Sequence, residues 1–553
     1  MLLPNIVSTT RLIFQRRYRA FLTQAIVAII IVAFVLNSYG PSIRDFGATP
    51  QEQDVGLPDS YTGESLLAPE PDPEPSSGGD FNDEPESNLE ESFLQGMGTK
   101  HPRGGQAEKK AGREFSRQEI TGEPTDAGLD TLCNQGSRLW NPNVIVECPL
   151  LDGGFGNGRL NLLQCLRYVI EAKVSIKLPR IARRNANDVT DFRTSDHVDL
   201  DYLIDDRRFL RILGKHCPNL VVHPAGYDDA RIRHLPSISP LNDLQLESFS
   251  EPDMPPVFAV PTHPELWPAA LDKWLESATE GKPPSAESPV LMGLHSIMFL
   301  WPTSHDPPSV VRHFSELVRP RDEVRLLAAA ALQRMQQQFN VHISFRTSDE
   351  PRARDNAFIG VHLRVEKDSI DYKWISYEDQ FNYLDQRLRE RKGNATHPPD
   401  KTLPDTEKTV LYVASGDAAG IARFAKDVAP ITVVTKNDLL PEGTFAGTSL
   451  RNMTWDQQAL VDMLILEHSG YFIGVRDSTF SWHLTLRRAA AVNWITGGYP
   501  TDCWQGDEGT KERKRIGCKS MLAENEEWRD NLSTLMGNGH YRLEPQVMAT
   551  CWP

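Results

Sequence analysis

Residues 358–368 read FIGVHLRVEKD, an apolar run that breaks into His362, Arg364, Glu366, Lys367 and Asp368. Neither a turn nor a solvated face needs that composition. His362 and Arg364 stand two apart, so they share one face where a strand ends. The planar fork of an arginine suits two-pronged contact with a diphosphate. The competing reading is an ion pair of Arg364 with Glu366 or Asp368 at a sheet edge. Three other stretches carry polar residues in comparable places. DGGFGNGR sets Gly153, Gly154, Gly156 and Gly158, with Asn157 and Arg159, between a strand and a helix start. Glycines let backbone N–H groups approach an anion, and a helix N-terminus adds partial positive charge. A tight turn would need the same glycines; the stretch lacks the Lys-Ser/Thr of a P-loop and is not GxGxxG. YVASGD ends a strand in Ser415, Gly416 and Asp417, and GYFIGVRDSTFSWHLTLRR opens a helix with Asp477, Ser478, Thr479, Phe480 and Ser481. Ser and Thr are ordinary helix caps. Polar strand ends recurring in one sheet favour a nucleotide-diphosphate site over separate caps.

The elements that must position these residues alternate. NVIVECPL (143–150) reads as a strand and LNLLQCLRYVIEAKV as a helix, with Leu163, Leu166, Ile170 and Val174 near helical spacing; VSIKLPRI reads as a returning strand. A second series runs FIGVHLRV, KTVLYVASGD, PITVVTK, SGYFIGV and AAVNWIT, with DQQALVDMLILEHS as a helix between strands. Buried parallel strands read as continuous apolar runs, as these do. The fold class expected is α/β, with two doubly wound, Rossmann-like domains at 127–350 and 351–553. Pro-rich material at 225–310 resists assignment. In open parallel sheets ligands bind beyond the carboxyl ends of the strands, where the polar residues collect.

Before the folded part lie segments of other character. Arg11, Arg16, Arg17 and Arg19 precede AFLTQAIVAIIIVAFVL, Ala20 to Leu36, which carries no charge. At 1.5 Å per residue this run reaches roughly 25 Å. It lacks a small-residue cleavage site, so 20–38 is expected to be an uncleaved transmembrane signal anchor behind a cytosolic tail, 1–19. Positive charge stays cytosolic, which makes the remainder lumenal in a single-pass type II protein of the endoplasmic reticulum or Golgi membrane. Residues 39–126 are acidic and rich in Pro, Gly and Ser, the composition of a disordered stalk. The formal net charge of −16 argues against nucleic-acid binding. All seven cysteines follow the anchor, and none forms a CxxC pair, so no zinc site is expected. Cys165, in the helical pattern, is the expected free thiol. Sequons at Asn394, Asn452 and Asn531 fit a lumenal, glycosylated domain.

The set GGFGNGRLNLL, GVHLRVEKD, YVASGD and YFIGVRDSTFSWHLTLRR resembles the GDP-fucose protein O-fucosyltransferase superfamily, in a diverged fungal- or plant-like form, over most of residues 145–495. The resemblance implies a GT-B arrangement of two Rossmann-like domains, a GDP-sugar donor, a protein or glycan acceptor, inversion at the anomeric carbon, and no cofactor or metal. It implies that Arg364 contacts the diphosphate and aids the leaving group, that His362 lies at the nucleotide, and that Asn157 faces the donor–acceptor junction. Ser478, Thr479 and Phe480 would hold the phosphates and nucleotide. One departure concerns the base: some relatives place an acidic residue inside the glycine loop, whereas here Asp152 precedes it and Asp368 is the other candidate. A rival reading is a metal-dependent GT-A enzyme using Asp199 and Asp201 of VDLDYL. A third is a non-catalytic GDP-sugar-binding protein of the secretory pathway.

Overall fold

The computed structural model describes residues 128–185, 196–249, 260–295, 298–343, 357–392, 409–491, 504–505, 514–515, 527–529, 532–537, 547 and 550–552. The expected tail, anchor and stalk lie outside the described residues, as do Asn394, Asn531, Cys503 and Cys518. Among the described residues no helix is long and apolar enough to cross a membrane.

The first sheet contains β1 (Asn141–Glu147), β2 (Val174–Lys177), β3 (Val222–His223), β4 (Arg233–His234) and β5 (Val290–Gly293), in the order β3-β2-β1-β5-β4. Every pairing is parallel. The second contains β6 (Ile359–His362), β7 (Val410–Ala414), β8 (Thr432–Val434), β9 (Tyr471–Val475), β10 (Glu527–Arg529) and β11 (Ser533–Met536), ordered β8-β7-β6-β9-β11-β10. Only its edge pair, β10 with β11, is antiparallel. All residues of β6, β7 and β9 are buried, which is why their sequences are continuous apolar runs. Each buried Val, Leu or Ile there contributes about 1.5–3 kcal/mol. In both sheets the first strand lies between two later strands, so the chain winds outward from it in both directions across the sheet. That strand's carboxyl end is the switch point where such sheets open a crevice.

One expectation fails here. AAVNWIT (490–496) reads as a strand in the sequence, but Ala490 and Ala491 end a helix and the rest lies outside the described residues. The place beside β9 belongs to β11, whose short STLM is too brief to stand out as periodic. The Pro-rich region, in turn, contains β5, the strand that completes the centre of the first sheet.

Helix α1 (Phe155–Ala172) follows β1, and its residues from Gly158 to Ile170 are all buried. A helix buried on every side must pair its polar groups internally. Arg167 Nε donates to Asp306 Oδ1 at 2.8 Å, Gln164 Nε2 donates to the Thr550 carbonyl at 2.7 Å, and Arg159 donates to the carbonyls of Trp552 and Ser315 at 3.4 Å. Residues Thr550–Trp552 thus lie buried against the first half, with Trp552 Nε1 donating to Asp306 Oδ2 at 2.9 Å.

Cys165 is not free. It bonds Cys148, tying α1 to the end of β1 across 17 residues, and Cys133 bonds Cys217. The helical pattern hid this because a residue inside α1 can still face the strand that precedes it. Among the described residues the cysteine outside a disulfide is the buried Cys551, whose thiol is pushed up to about 12 by burial. Of the sequons, Asn452 is exposed at the end of the helix Phe445–Asn452.

Further helices join the halves into one body. Helices α2 (Asp322–Phe339) and α3 (Trp455–Glu467) pack together, and α4 (Thr479–Ala491) packs on α1. A single buried cluster runs through residues of both sheets.

Candidate functional site

A cleft of about 650 Å³ opens where the carboxyl ends of both sheets meet. From the first half it is lined by the loop Gly153–Asn157 and by Arg184; from the second, by His362, Arg364, Glu366 and Asp368 after β6, Ser415 and Gly416 after β7, Trp455 and Asp456 at the start of α3, and Asp477–Phe480 after β9.

Arg364 is buried, 8% exposed. Its backbone is pinned on both sides by Gln380, which accepts from the Arg364 N–H at 3.1 Å and donates to its carbonyl at 2.8 Å. Its guanidinium pairs twice: Nη1 with Glu366 Oε2 at 2.6 Å and Nη2 with Asp368 Oδ2. Both ion pairs that the sequence allows are therefore present, inside the cleft. Glu366 also reaches β7, where Oε1 accepts the Gly416 N–H at 2.6 Å and the Ser415 hydroxyl at 3.3 Å. Burial pushes the Glu366 carboxyl up, but Arg364, His362 and the Gly416 amide outweigh it and hold the group below the usual carboxylate range.

His362 Nδ1 lies 2.8 Å from Ser481 Oγ, and its ring tilts against Phe480 at 4.6 Å between centroids. Burial, reinforced by Arg364, lowers His362 to about 4, so it is neutral near pH 7. Ser481 does not line the cleft; its hydroxyl holds His362 and accepts the Val475 N–H at 3.1 Å.

The glycine loop meets the β9 segment directly. Thr479 Oγ1 donates to Asn157 Oδ1 at 2.6 Å. A Cβ on Gly156 would stand 2.8 Å from Thr479 Oγ1 and 3.0 Å from its carbonyl carbon. Gly153 adopts φ +78°, open to glycine without strain. These glycines therefore serve the join between halves as well as any ligand.

Some expected residues stand elsewhere. Gly158 and Arg159 are buried in α1 and line no part of the cleft; Arg159 faces Trp552, and burial lowers its guanidinium to about 9. Asp152 is exposed and outside the lining. Asp417 caps a helix, accepting the Ala419 N–H at 2.9 Å. Asp199 pairs with Arg180 at 3.5 Å, and neither it nor Asp201 borders the cleft. Among the described residues no cluster of three or more His, Cys, Asp or Glu is arranged to hold a metal ion.

Sequence reasoning misses Arg184, Trp455 and Asp456. Arg184 donates its backbone N–H to Asp456 Oδ2 at 2.9 Å, and its guanidinium lies 5.1 Å from the Trp455 ring centroid. Burial raises the Asp456 carboxyl despite these contacts. The signal available was the capping box at Thr454 and Gln457, which fixes where α3 begins and so which residues its first turn presents.

No protein-family model and no curated protein matches the chain. Solved structures that align with it include POFUT1 in complex with GDP-fucose, at 15% identity over 64% of this chain and 95% of that one, with a TM-score of 0.35. The α-1,6-fucosyltransferase NodZ co-crystallized with GDP aligns at 13% identity over 63% and 92%, with a TM-score of 0.29. NodZ from Bradyrhizobium aligns at 11% over 63% and 93%, again at 0.29. A likeness at TM-scores this low carries no argument about function.

Proposed function

We propose that this chain is an inverting glycosyltransferase that needs no metal and transfers fucose from GDP-fucose to a protein or glycan acceptor. The observation that carries the reading is Arg364, held rigidly at the switch point of the second sheet and facing a cleft large enough for a nucleotide sugar. As the sugar leaves, negative charge grows on the diphosphate. Arg364 offers a fixed positive fork there, and the first turns of α1 and α4 line the same cleft, where helix dipoles favour an anion. Neutral His362, braced by Ser481 and Phe480, donates or accepts without adding charge. Asn157 lies where the halves meet and would border both donor and acceptor. The sequence adds a membrane anchor at 20–38, with this body lumenal in the endoplasmic reticulum or Golgi.

A second reading, a non-catalytic GDP-sugar-binding protein, is favoured by one observation: Glu366 and Asp368 already occupy Arg364. The deciding experiment incubates the protein with a panel of GDP- and UDP-sugars in excess EDTA, and follows nucleotide release and sugar transfer. Release from GDP-fucose that survives EDTA is expected. Arg364→Ala should then cut turnover by a factor on the order of 10², as loss of a transition-state donor does. Arg364→Lys should rescue poorly, because it loses the planar fork. Binding without turnover would leave the second reading standing, and a folded Arg364→Ala variant with wild-type turnover would remove Arg364 from the chemistry.

A further inference from the structure

The lining of the cleft includes three cations, Arg184, Arg364 and Lys436, and five carboxylates, Glu366, Asp368, Asp456, Asp462 and Asp477. Lys436 is committed to Asp462 at 2.6 Å. The two arginines come from opposite halves and converge on one atom: Asp368 Oδ2 takes Arg364 Nη2 and lies 3.4 Å from Arg184 Nη2. Two guanidinium groups that close repel each other, and little water screens them, since the Arg184 side chain is 8% exposed. Burial and the neighbouring Arg364 both lower the Arg184 guanidinium. An anion between its members stabilises such a pair, and Asp368 stands in that place here.

We propose that Arg184 is a second diphosphate-binding residue, supplied by the first half of the molecule, and that an incoming nucleoside diphosphate replaces Asp368 as the anion shared with Arg364. The inference rests on the nucleotide-sugar reading above and extends it to a residue outside the expected motifs. A diphosphate has two phosphoryl groups, and each can take one arginine fork in two-pronged fashion. A single carboxylate oxygen serving both arginines offers less charge and fewer acceptors. The surroundings fit. Arg184 Nη1 lies 3.6 Å from where a Cβ on Gly154 would stand, so the guanidinium sits at van der Waals distance from the glycine loop. Trp455 supports its other face at 5.1 Å, and the backbone bond to Asp456 fixes where the side chain departs. The competing account makes Arg184 a staple between halves, acting through Asp368 and Asp456 alone.

The test measures GDP binding and the melting temperature of the unliganded protein for wild type, Arg184→Gln and Arg184→Lys. The expected result is GDP affinity weakened about tenfold in Arg184→Gln, the loss of one charge-assisted contact, together with a shallower salt dependence of binding. Where Arg184→Gln also melts lower, Arg184→Lys decides. It keeps a cation for Asp368, so its melting temperature returns to that of wild type, while the lost fork leaves GDP affinity several-fold weaker. Wild-type affinity in a folded Arg184→Gln protein overturns the proposal, and so does an Arg184→Lys protein with both wild-type melting temperature and wild-type affinity. Failure of the wild type itself to bind GDP overturns the nucleotide-sugar reading, and this inference with it.

Discussion

His362 shows how one residue records its surroundings. In the unfolded chain it titrates near its ordinary value of 6.5, and in the fold near 4, through burial and then Arg364. Between those values the unfolded state binds more protons, so the stability tied to His362 is complete above pH 6.5 and is lost as pH falls toward 4. The shift corresponds to about 3 kcal/mol. Burial raises Asp456 and Asp462, which oppose the trend at the acid end. The melting temperature of His362→Asn, which keeps an acceptor for Ser481, should therefore fall less steeply than that of wild type from pH 7 to 5. Equal slopes would exclude His362 as a source of acid sensitivity. Residues such as His362 and Arg364 were legible in the sequence because ionisable groups rarely interrupt an apolar strand without cause. Arg184 was not, because nothing local distinguishes it from the arginine beside it; only the fold brings it to Asp368.

The legible elements were those that announce themselves over several residues, namely β1 with α1, and β6, β7 and β9. Short strands such as β5 and β11 gain their identity from neighbours already in place, and no window of sequence carries that. The glycine loop lies between these cases. Its position after β1 was plain, but its tight fit against Thr479 depends on a contact across 322 residues. Gly156→Ala tests that fit: a Cβ 2.8–3.1 Å from three Thr479 atoms, two of them backbone, must push the loop and α4 apart. Overpacking of this kind typically costs about 1–3 kcal/mol. The expected outcome is a lower melting temperature and loss of turnover together, whereas Thr479→Ser, which keeps the hydroxyl, should change neither. A stable, active Gly156→Ala protein would show that the loop and α4 are free to separate.

At the scale of the whole molecule, the chain folds back on itself. Trp552 is fully buried against Phe314 and Asp306, and Gln164 holds both the Thr550 carbonyl and, through its own carbonyl oxygen, the Trp301 N–H. Trp552→Ala should cost about 3–5 kcal/mol, as deletion of a buried aromatic does. Denaturant unfolding followed by two probes, one in each half, would show whether the loss stays local; an unchanged midpoint would mean that the aromatic contributes nothing. This return also sets an order of events during biosynthesis. Gln164 leaves the ribosome 386 residues ahead of its partner Thr550. At roughly 5–20 residues per second that is a wait on the order of 20–80 s. Throughout that interval the Gln164 amide has no Thr550 carbonyl to meet, so the core around α1 is completed only after residue 550 has been made.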